Sequence, residues 1–545
     1  MQSIFTNNNQ GLPARLHTKH MIKVPALTFQ LADEITRVAH TQLRASKMYK
    51  QPRMDQIKES EDLYNGIAKK SLARENGEPF PFMSGFVDHL YSEIDEAPDI
   101  EYGQTDEADY KAARMISAFF QNEKQSVLPH AKWNLKDRWS KKLAIFSGRA
   151  ILKYYAESDP MYRSNLKTID HYDFHCEPGG GGHLEDHLFC GEEGIFKTRE
   201  EIEHCGEEGY YDPSQVQKLV AGASVSDFKE NEDDYGNRLN RQRGLKLDPQ
   251  SNNYVGQELF KLVEWYLVYR GVRWYCLFEE RSMTWLRVKA LRELYSPIPT
   301  TGEALWPYVS WATHEDPKVF WSKAPCDDAR PIAKAINKLI NQEIYNREKK
   351  NKGTRLYDPQ MVTDIEALAD ERPDGLIPIH TNNGQKPLSS AMFRVEHGEI
   401  TGTIDLVSFL DSYHGQKSGS TPGSQGVAEK DKKVGIFFGE LQQVQKRLGI
   451  HNKSFREMYQ ELGLRFVIGL DDHLIGEMPV KLVGAGGIEW ATISTKEIKR
   501  NRPLDIRITG GTEESQKNEI LAAKKAEALK SATTVNPQWK DRELL

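Results

Sequence analysis

The sequence predicts an α+β fold, in which long helices and antiparallel strands occupy separate stretches of a chain too long for one domain. The chain has 545 residues. Because single hydrophobic cores stop growing well below that length, we expect two to four domains. Residues 434–474 carry apolar side chains at helical spacing, whereas residues 258–295 alternate apolar and polar side chains as strands of a β-meander do.

The first half of the chain is predicted to begin with helices and to continue with strands. Residues 28–126 contain amphipathic runs, and residues 131–147 continue the helical pattern. β-branched and aromatic residues then gather over 148–156, which predicts a strand. Residues 157–260 are rich in turn-forming and acidic residues, and the glycine run 179–182 within them predicts a flexible loop.

Two helices, over 327–350 and near 400–413, are predicted to flank a compact insertion at 351–398. The apolar face of the first helix consists of Ile332, Ile336, Leu339, Ile340 and Ile344. A polar side of the same helix consists of Lys334, Lys338, Asn341 and Tyr345. Aspartates at its start and basic residues at its end match the helix dipole.

A flexible loop running into a long helix is the most informative stretch of the sequence. Glycine and serine dominate the start of segment 415–433, and glycine permits rearrangement at low steric cost. The helix over 434–474 is predicted to be kinked at Gly449, where the apolar spacing breaks. Ser454 and Glu457 resemble a capping box that restarts it.

The C-terminal region is predicted to return to strands and to end in a helix. Strands are expected at Val480–Val483 and Ile488–Ile493. The glycine-rich stretch 484–487 between them lacks the dinucleotide-binding pattern and is interpreted as a hairpin turn. An alanine-, glutamate- and lysine-rich helix is expected over 513–531.

Composition excludes several classes of function. The chain has 73 basic and 79 acidic residues and a net charge of −6, which argues against tight non-specific binding of nucleic acid. It does not exclude a channel through which DNA passes. No apolar run approaches the ~20 residues that span a bilayer, and the N-terminus lacks the pattern of a secretory signal. The five cysteines show no paired spacing, so we expect reduced thiols.

A histidine- and cysteine-rich stretch, 171–205, is the one candidate metal site. His183, His187 and Cys190 have a spacing that zinc could use, and Glu185 is adjacent to them. The glycine run lies inside the cluster, and closely paired cysteines are absent from the sequence there. We therefore expect no bound metal or other cofactor, and a metal-dependent enzyme stays as an alternative.

Other motifs of catalysis are missing from the sequence. It has no phosphate-binding GxxxxGK[ST] loop, no GxSxG nucleophile elbow, no HExxH metal motif and no set of kinase motifs. The pair Asp471-Asp472 on or beside the long helix is better explained by solvation or capping than by catalysis. Lysines at the edges of loop 415–433 are more suggestive, because a mobile loop could use them to contact phosphates. These are Lys417, Lys430, Lys432 and Lys433.

The order of elements resembles that of the portal proteins of tailed bacteriophages, the head-to-tail connector family. The resemblance extends over nearly the whole chain and rests on residues 143–155, 169–178, 330–342 and, most strongly, 418–426 with the helix behind them. It implies a portal-like fold with long stem and crown-supporting helices, a β-rich wing and a small clip insertion, assembled as a ring.

The resemblance also implies a role for each segment. Residues 1–326 would form the wing, helical first and then β-rich. The further segments would be the stem helix 327–350, the clip 351–398, the second stem helix 399–414, the tunnel loop 415–433, the long kinked helix 434–474, the returning wing strands 475–510 and the short crown 511–545. The crown is smaller than the resemblance leads one to expect.

Site residues follow from these assignments. In the tunnel loop, the DNA-facing residues would be Lys417, Ser418, Gly419, Ser420, Gly423, Gln425, Lys430, Lys432 and Lys433. In the stem, Lys334, Lys338 and Asn341 would face the lumen. In the clip, the docking residues would be Asp364, Glu366, Asp370, Glu371 and Arg372.

The implied function is a DNA channel without catalysis. Twelve subunits would form a ring at one capsid vertex of the virion, assembled in the host cytoplasm, through which double-stranded DNA is packaged and ejected. The implied partners are the large terminase subunit, a head–tail adaptor, the major capsid protein and scaffolding protein, and no membrane is involved. Two alternatives stay open, the metal-dependent enzyme at 171–205 and a helical scaffold or adaptor that carries no DNA.

Overall fold

The computed structural model describes most of the chain. The described residues are 24–67, 80–94, 98–103, 110–126, 132–158, 162–223, 258–298, 302–352, 402–418, 434–484, 487–494 and 506–509, with shorter stretches between 228 and 236 and between 355 and 394. The fold is α+β, as the sequence predicts.

Four helices build the N-terminal part. They are α1 (Phe29–Tyr64), α2 (Phe82–Glu93), α3 (Tyr110–Gln125) and α4 (Trp133–Ser147). Thr28 begins α1, because its hydroxyl accepts a hydrogen bond from the backbone N–H of Leu31. The predicted helical regions are confirmed. A short strand that the sequence analysis missed, β1 (Asp99–Tyr102), lies between α2 and α3.

A three-stranded antiparallel sheet follows the N-terminal helices. Its central strand is β2 (Arg149–Glu157), which confirms the strand predicted at 148–156. On its two sides lie β3 (Arg163–Ile169) and β9 (Tyr308–Ala312).

A five-stranded antiparallel sheet forms the β-rich part of the chain. Its strands, in spatial order, are β4 (Phe174–Cys176), β5 (Phe189–Thr198), β6 (Leu259–Tyr269), β7 (Val272–Glu279) and β8 (Trp285–Ala290). The predicted meander is therefore confirmed. The first half of α1 packs with Trp265 and Trp274 in one core cluster. The other face meets α5 (Arg199–Glu207), α6 (Pro213–Gly222) and α7 (Leu291–Leu294).

The prediction of a turn-rich segment over 157–260 is wrong for much of it, because β3, β4, β5, α5 and α6 all lie there. Part of its polarity comes from helix capping. Thr198 and Glu201 form a reciprocal capping box at the start of α5. The glycine run is also closely packed. A Cβ at Gly182 would lie 2.3 Å from the backbone oxygen of Asp316, so glycine there permits a close approach of two backbone segments.

Two helices and a small strand pair form the next part. The helices are α8 (Pro325–Lys352) and α9 (Thr403–Ser418), and they pack against each other. Between them in the chain, β10 (Arg355–Tyr357) pairs antiparallel with β11 (Met392–Arg394). The two predicted helices are confirmed, although α9 begins and ends a few residues later in the chain than predicted.

The long helix is α10 (Val434–His473), which has 40 residues. The predicted restart of the helix at Ser454 is wrong, because the helix is continuous across Gly449 and Ser454. Ser454 does not cap a helix. Its hydroxyl accepts a hydrogen bond from the backbone N–H of Ala312, and the side chain thereby joins α10 to β9.

The C-terminal half of α10 runs through the largest core. The ring of Phe466 makes edge or tilted contacts with Phe119, Phe120, Trp133 and Tyr154. These contacts tie the long helix to α3, α4 and β2 in one hydrophobic cluster.

Two hairpin strands and a pairing with β1 complete the described fold. Strands β12 (Glu477–Gly484) and β13 (Gly487–Ser494) pair with Gly484 opposite Gly487, which confirms the predicted hairpin. Strand β14 (Ile506–Thr509) returns to pair with β1. The helix predicted at 513–531 lies outside the described residues.

Candidate functional site

The buried side chain of Asn337 on α8 helps to attach the α8–α9 pair to the N-terminal part of the chain. Asn337 is buried, and its side-chain amide both accepts from the backbone N–H of Phe80 at 2.8 Å and donates to the Phe80 carbonyl at 3.1 Å. This two-way bond fixes α8 to the chain just before α2. The sequence analysis assigned Asn337 no role, since a single asparagine on a helix gives no distinctive signal.

Ion pairs between α8 and α1 strengthen this attachment. Arg330 pairs with Asp327 at 3.0 Å and approaches Glu59 of α1, and Lys334 pairs with the same Glu59 at 2.5 Å. Arg53 of α1 also pairs with Asp327 at 2.7 Å. These charged groups are partly buried, so screening by salt weakens them less than it weakens fully exposed pairs.

The three polar residues predicted for the stem lumen therefore have different surroundings. Lys334 is held by Glu59 on α1, and Lys338 is exposed. Asn341 is partly buried, and its amide donates to the carbonyl of Asn337 at 2.9 Å. Of the predicted apolar face, Ile336 is buried and Ile344 is exposed.

Helix α9 exposes large apolar side chains to solvent. Leu406, Phe409 and Tyr413 are 45%, 64% and 44% exposed, and their spacing places them in one stripe along the helix. The rings of Phe409 and Tyr413 stack on each other. On the other helix of the pair, Ile344 and Tyr345 are also exposed. The sequence analysis missed this stripe, because the hydrophobic pattern of α9 alone does not show which side faces α8.

The tunnel-loop prediction needs one correction. Residues 415–418, Lys417 and Ser418 included, are part of α9 and not of a loop. A glycine inside a helix destabilises it by only about 1 kcal/mol relative to alanine, so Gly415 is not enough to end α9. The other predicted loop residues lie outside the described part of the chain. They are Gly419, Ser420, Gly423, Gln425, Lys430, Lys432 and Lys433.

The insertion between α8 and α9 is described only in part. Strands β10 and β11 show that its two ends come together. The predicted docking residues of the clip lie outside the described residues. They are Asp364, Glu366, Asp370, Glu371 and Arg372.

An ionic cluster joins α10 to the glycine-rich stretch. The carboxylate of Glu185 accepts from Arg465 at 2.7 Å and from Arg273 at 2.8 Å. Arg465 also donates to the carbonyl of Trp306 at 2.9 Å. Glu185 was considered as a catalytic base next to a zinc site, but its role here is to bind two arginines from different elements.

The histidines of 171–205 are distributed among separate partners. His175 lies 2.8 Å from Glu193, His183 lies 3.2 Å from Glu461 of α10, and His187 bonds the carbonyl of Gly181 at 3.1 Å. The hydrogen bond to Glu461 raises the pKa of His183. Among the described residues, which include all of 171–205, no group of three histidine, cysteine or acidic side chains is arranged to hold a metal ion.

Two of the three cysteines of the same stretch, Cys176 and Cys190, are poor nucleophiles. Cys176 and Cys190 lie opposite each other on β4 and β5, and both are buried free thiols. Burial raises the pKa of the Cys176 thiol to about 12 and that of Cys190 well above its usual value. Because the thiolate is the reactive form, neither side chain is activated for catalysis.

A cavity of about 350 Å³ lies between α1, β5 and β6, and its wall carries equal numbers of lysines and acidic residues. Lys50 is fully buried there, and its ammonium donates to the carbonyls of Tyr172 and Phe174. Burial lowers the pKa of Lys50 to about 8. Burial also lowers the pKa of His175 to about 4, with a smaller effect from the charge of Lys50.

Glu193 is the carboxylate at the centre of this cavity wall. Burial alone would raise its pKa, but the hydrogen bond from His175 and the nearby Lys47 and Lys261 outweigh burial and lower it. Lys47 and Lys261 in turn pair with Glu280. The wall is thus a balanced ionic network, which accounts for its charged residues without a ligand.

Comparison with models of known protein families and with curated protein sequences finds no match to this chain. Within the described ranges, none of the helices combines the length and the apolar character that crossing a bilayer requires.

Proposed function

We propose that this chain is a portal protein of the kind found in tailed bacteriophages. In this proposal the chain is one subunit of a ring, expected to have twelve copies, at one vertex of the capsid. Double-stranded DNA is packaged and later ejected through the ring, and the chain itself catalyses no reaction.

The observation that carries the proposal is the exposed stripe Leu406–Phe409–Tyr413 on α9. Helices α8 and α9 pack on each other, yet the stripe is left uncovered within one copy of the chain. Burying a large apolar side chain contributes about 1.5–3 kcal/mol, so a neighbouring copy that covers the stripe would gain considerable free energy. A ring of copies supplies such a neighbour to every subunit.

The order of the elements supports the same proposal. Helix α8, the β10–β11 pair and α9 correspond to the stem, the clip and the second stem helix that the resemblance implies. The 40-residue α10 corresponds to the long helix behind the tunnel loop. The extensive packing of α10 against α3, α4 and β2 would give such a channel a firm wall.

The partners follow from this assignment. The clip would dock the large terminase subunit during packaging and a head–tail adaptor afterwards, and the wing would meet the major capsid and scaffolding proteins. No observation favours the metal-dependent enzyme, because the histidines of 171–205 are engaged by separate partners.

Native mass spectrometry of the purified chain tests the proposal. We expect one closed oligomer with a fixed number of subunits near twelve, stable over a range of salt concentrations. A monomer or dimer under all of these conditions would refute it. An oligomer that forms but never associates with DNA would instead favour the helical scaffold.

A further inference from the structure

The exposed face of α4 carries a cluster of cations with no exposed carboxylate of the same helix beside them. Lys132 directly precedes the helix, and Lys136, Arg138 and Lys142 lie on it. The one acidic residue of α4, Asp137, is buried and pairs with the buried Lys141 at 3.2 Å. Asp137 therefore neutralises a cation on the inner side of the helix and leaves the outer charges in place.

These cations lie in two rows. At 3.6 residues per turn, Leu135 and Trp139 occupy the middle of the exposed arc. Lys132 and Lys136 lie on one side of that ridge, and Arg138 and Lys142 lie on the other. Trp139 is 55% exposed, whereas Trp133, Ser140 and Ala144 on the opposite side of the helix are buried, which agrees with this orientation.

Neighbouring elements offset the charges of Lys132, Arg138 and Lys142 only weakly. Lys142 lies over the ring of Tyr64 and donates to its hydroxyl at 3.2 Å, and that hydroxyl donates in turn to Asp88 of α2. Among the described residues, no carboxylate lies within ion-pair distance of Lys132, Arg138 or Lys142. Burial lowers the pKa of Lys136, and repulsion from Lys132 lowers it further. A polyanion bound here would therefore relieve the repulsion between these two lysines.

We propose that this surface of α4, defined by Lys132, Lys136, Arg138 and Lys142, binds the sugar–phosphate backbone of duplex DNA. A helix with its side chains is about 10–12 Å across, close to the major-groove width of about 12 Å. Two cationic rows on either side of a helix can therefore meet the two phosphate strands that border one groove. A single strand offers one row of phosphates and would use one cationic row together with stacking on Trp139.

The inference deepens the proposed function and rests on it for the source of the DNA. The phosphate-binding surface that it assigns lies in the described part of the chain and is distinct from the site proposed at Lys430, Lys432 and Lys433. Because its four cations would contact phosphates, which carry no sequence information, the surface should bind without base preference.

Fluorescence anisotropy with a short labelled duplex of random sequence, measured over a series of salt concentrations, tests the inference. The variant Lys132→Gln, Arg138→Gln, Lys142→Gln should bind at least about tenfold more weakly than the unchanged chain. Its plot of log affinity against log salt should be shallower by about 2.7, since each phosphate contact contributes about 0.9. The matched control removes three exposed lysines from other surfaces by Lys218→Gln, Lys289→Gln and Lys318→Gln.

Each outcome decides between named alternatives. Equal loss of binding in the control, or no binding by the unchanged chain, overturns the inference. If the chain binds single-stranded DNA more tightly than the duplex, and Trp139→Ala abolishes that binding, the choice of duplex DNA is overturned. Native mass spectrometry of the same samples keeps the two proposals apart, because a failure to form rings refutes the portal function whatever the anisotropy shows.

Discussion

At the scale of single residues, Asn337 shows how one buried polar side chain can link a helix to a segment distant in sequence. Its amide satisfies both backbone groups of Phe80, and it is buried in doing so. When one partner of a buried hydrogen bond is removed, the remaining polar group is left unsatisfied. The free-energy cost of that buried group exceeds the net stabilisation that an average hydrogen bond provides.

Asn337→Ala should lower the free energy of unfolding by about 1–3 kcal/mol, because the N–H of Phe80 loses its partner and the carbonyl of Phe80 keeps only the bond from the N–H of Phe82. Hydrogen exchange should show reduced protection at residues 80–84 and in the first half of α8. The control Gln342→Ala changes an exposed residue of the same helix and should leave exchange unchanged. Unchanged exchange in Asn337→Ala would mean that α8 is held by other contacts.

His175 should make stability depend on pH. Its pKa in the folded chain is lowered to about 4, below the value of 6.5 for a free histidine, because burial disfavours the charged ring. The unfolded chain therefore binds more protons between these values, and stability falls as the pH decreases from about 6.5 to about 4. The full effect is about 3 kcal/mol, since one pKa unit corresponds to 1.36 kcal/mol.

Thermal unfolding measured over this pH range checks the histidine prediction. In His175→Gln the amide can still donate to Glu193, so the fold should be retained while the dependence on pH becomes weaker. An unchanged dependence in that variant would assign the titration to other groups, such as His187, whose pKa is also lowered by burial.

At the scale of elements, the α8–α9 pair tests whether an exposed apolar stripe serves assembly. Leu406→Gln with Phe409→Gln should weaken association between copies at least about tenfold, since two large apolar contacts are lost at each interface. Ser408→Gln is the matched control, because Ser408 is also exposed and lies on another side of α9. Sedimentation velocity measures the result. Normal oligomers from the double variant would show that the stripe has another purpose.

The part of the proposed tunnel loop that follows α9 should contact DNA without holding the ring together. Replacing Lys430, Lys432 and Lys433 by alanine should leave assembly intact and alter the length of DNA that is packaged or retained. The contacts should be few, because each neutralised phosphate strengthens the binding of DNA to the loop and so slows its movement. A packaging assay with procapsids that carry the variant measures this. Full packaging and full retention would show that the loop is only a linker.

The elements that the sequence predicted well are those with a long and regular pattern. The apolar spacing of α10 and the alternation over β6–β8 arise because these elements bury one or both of their faces. Each pattern extends over many residues and is therefore easy to detect. The region 157–260 was predicted less well, since its strands are short and Thr198 and Glu201 belong to a helix cap that resembles a turn in composition.

The helix restart predicted after Gly449 and the loop predicted from Gly415 were wrong for a related reason. A single glycine changes helix stability by only about 1 kcal/mol, which tertiary contacts easily outweigh. The site was harder to predict than the fold. The bonds from Asn337 to Phe80 and from Arg465 to Glu185 join residues far apart in sequence, and no local pattern encodes them.

At the scale of the whole molecule, a body of helices and sheets bears the α8–α9 pair, and α8 attaches the pair to the body by packing on α1, α2 and α4. Three hydrophobic clusters stabilise the body, and the largest includes the C-terminal half of α10. The apolar stripe of α9 is exposed in a single copy, whereas the balanced ionic wall around Glu193 needs no partner. We therefore expect association through the helix pair.

Electron microscopy of the purified full-length chain tests the central claim most directly. The account predicts closed rings with an axial opening wide enough for B-form duplex DNA, in which α8 and α9 of neighbouring copies line the opening. Ring assembly should depend on Leu406 and Phe409 and should not depend on Lys430, Lys432 and Lys433. Particles that stay monomeric or dimeric, or rings with no opening wide enough for a duplex, would contradict the account.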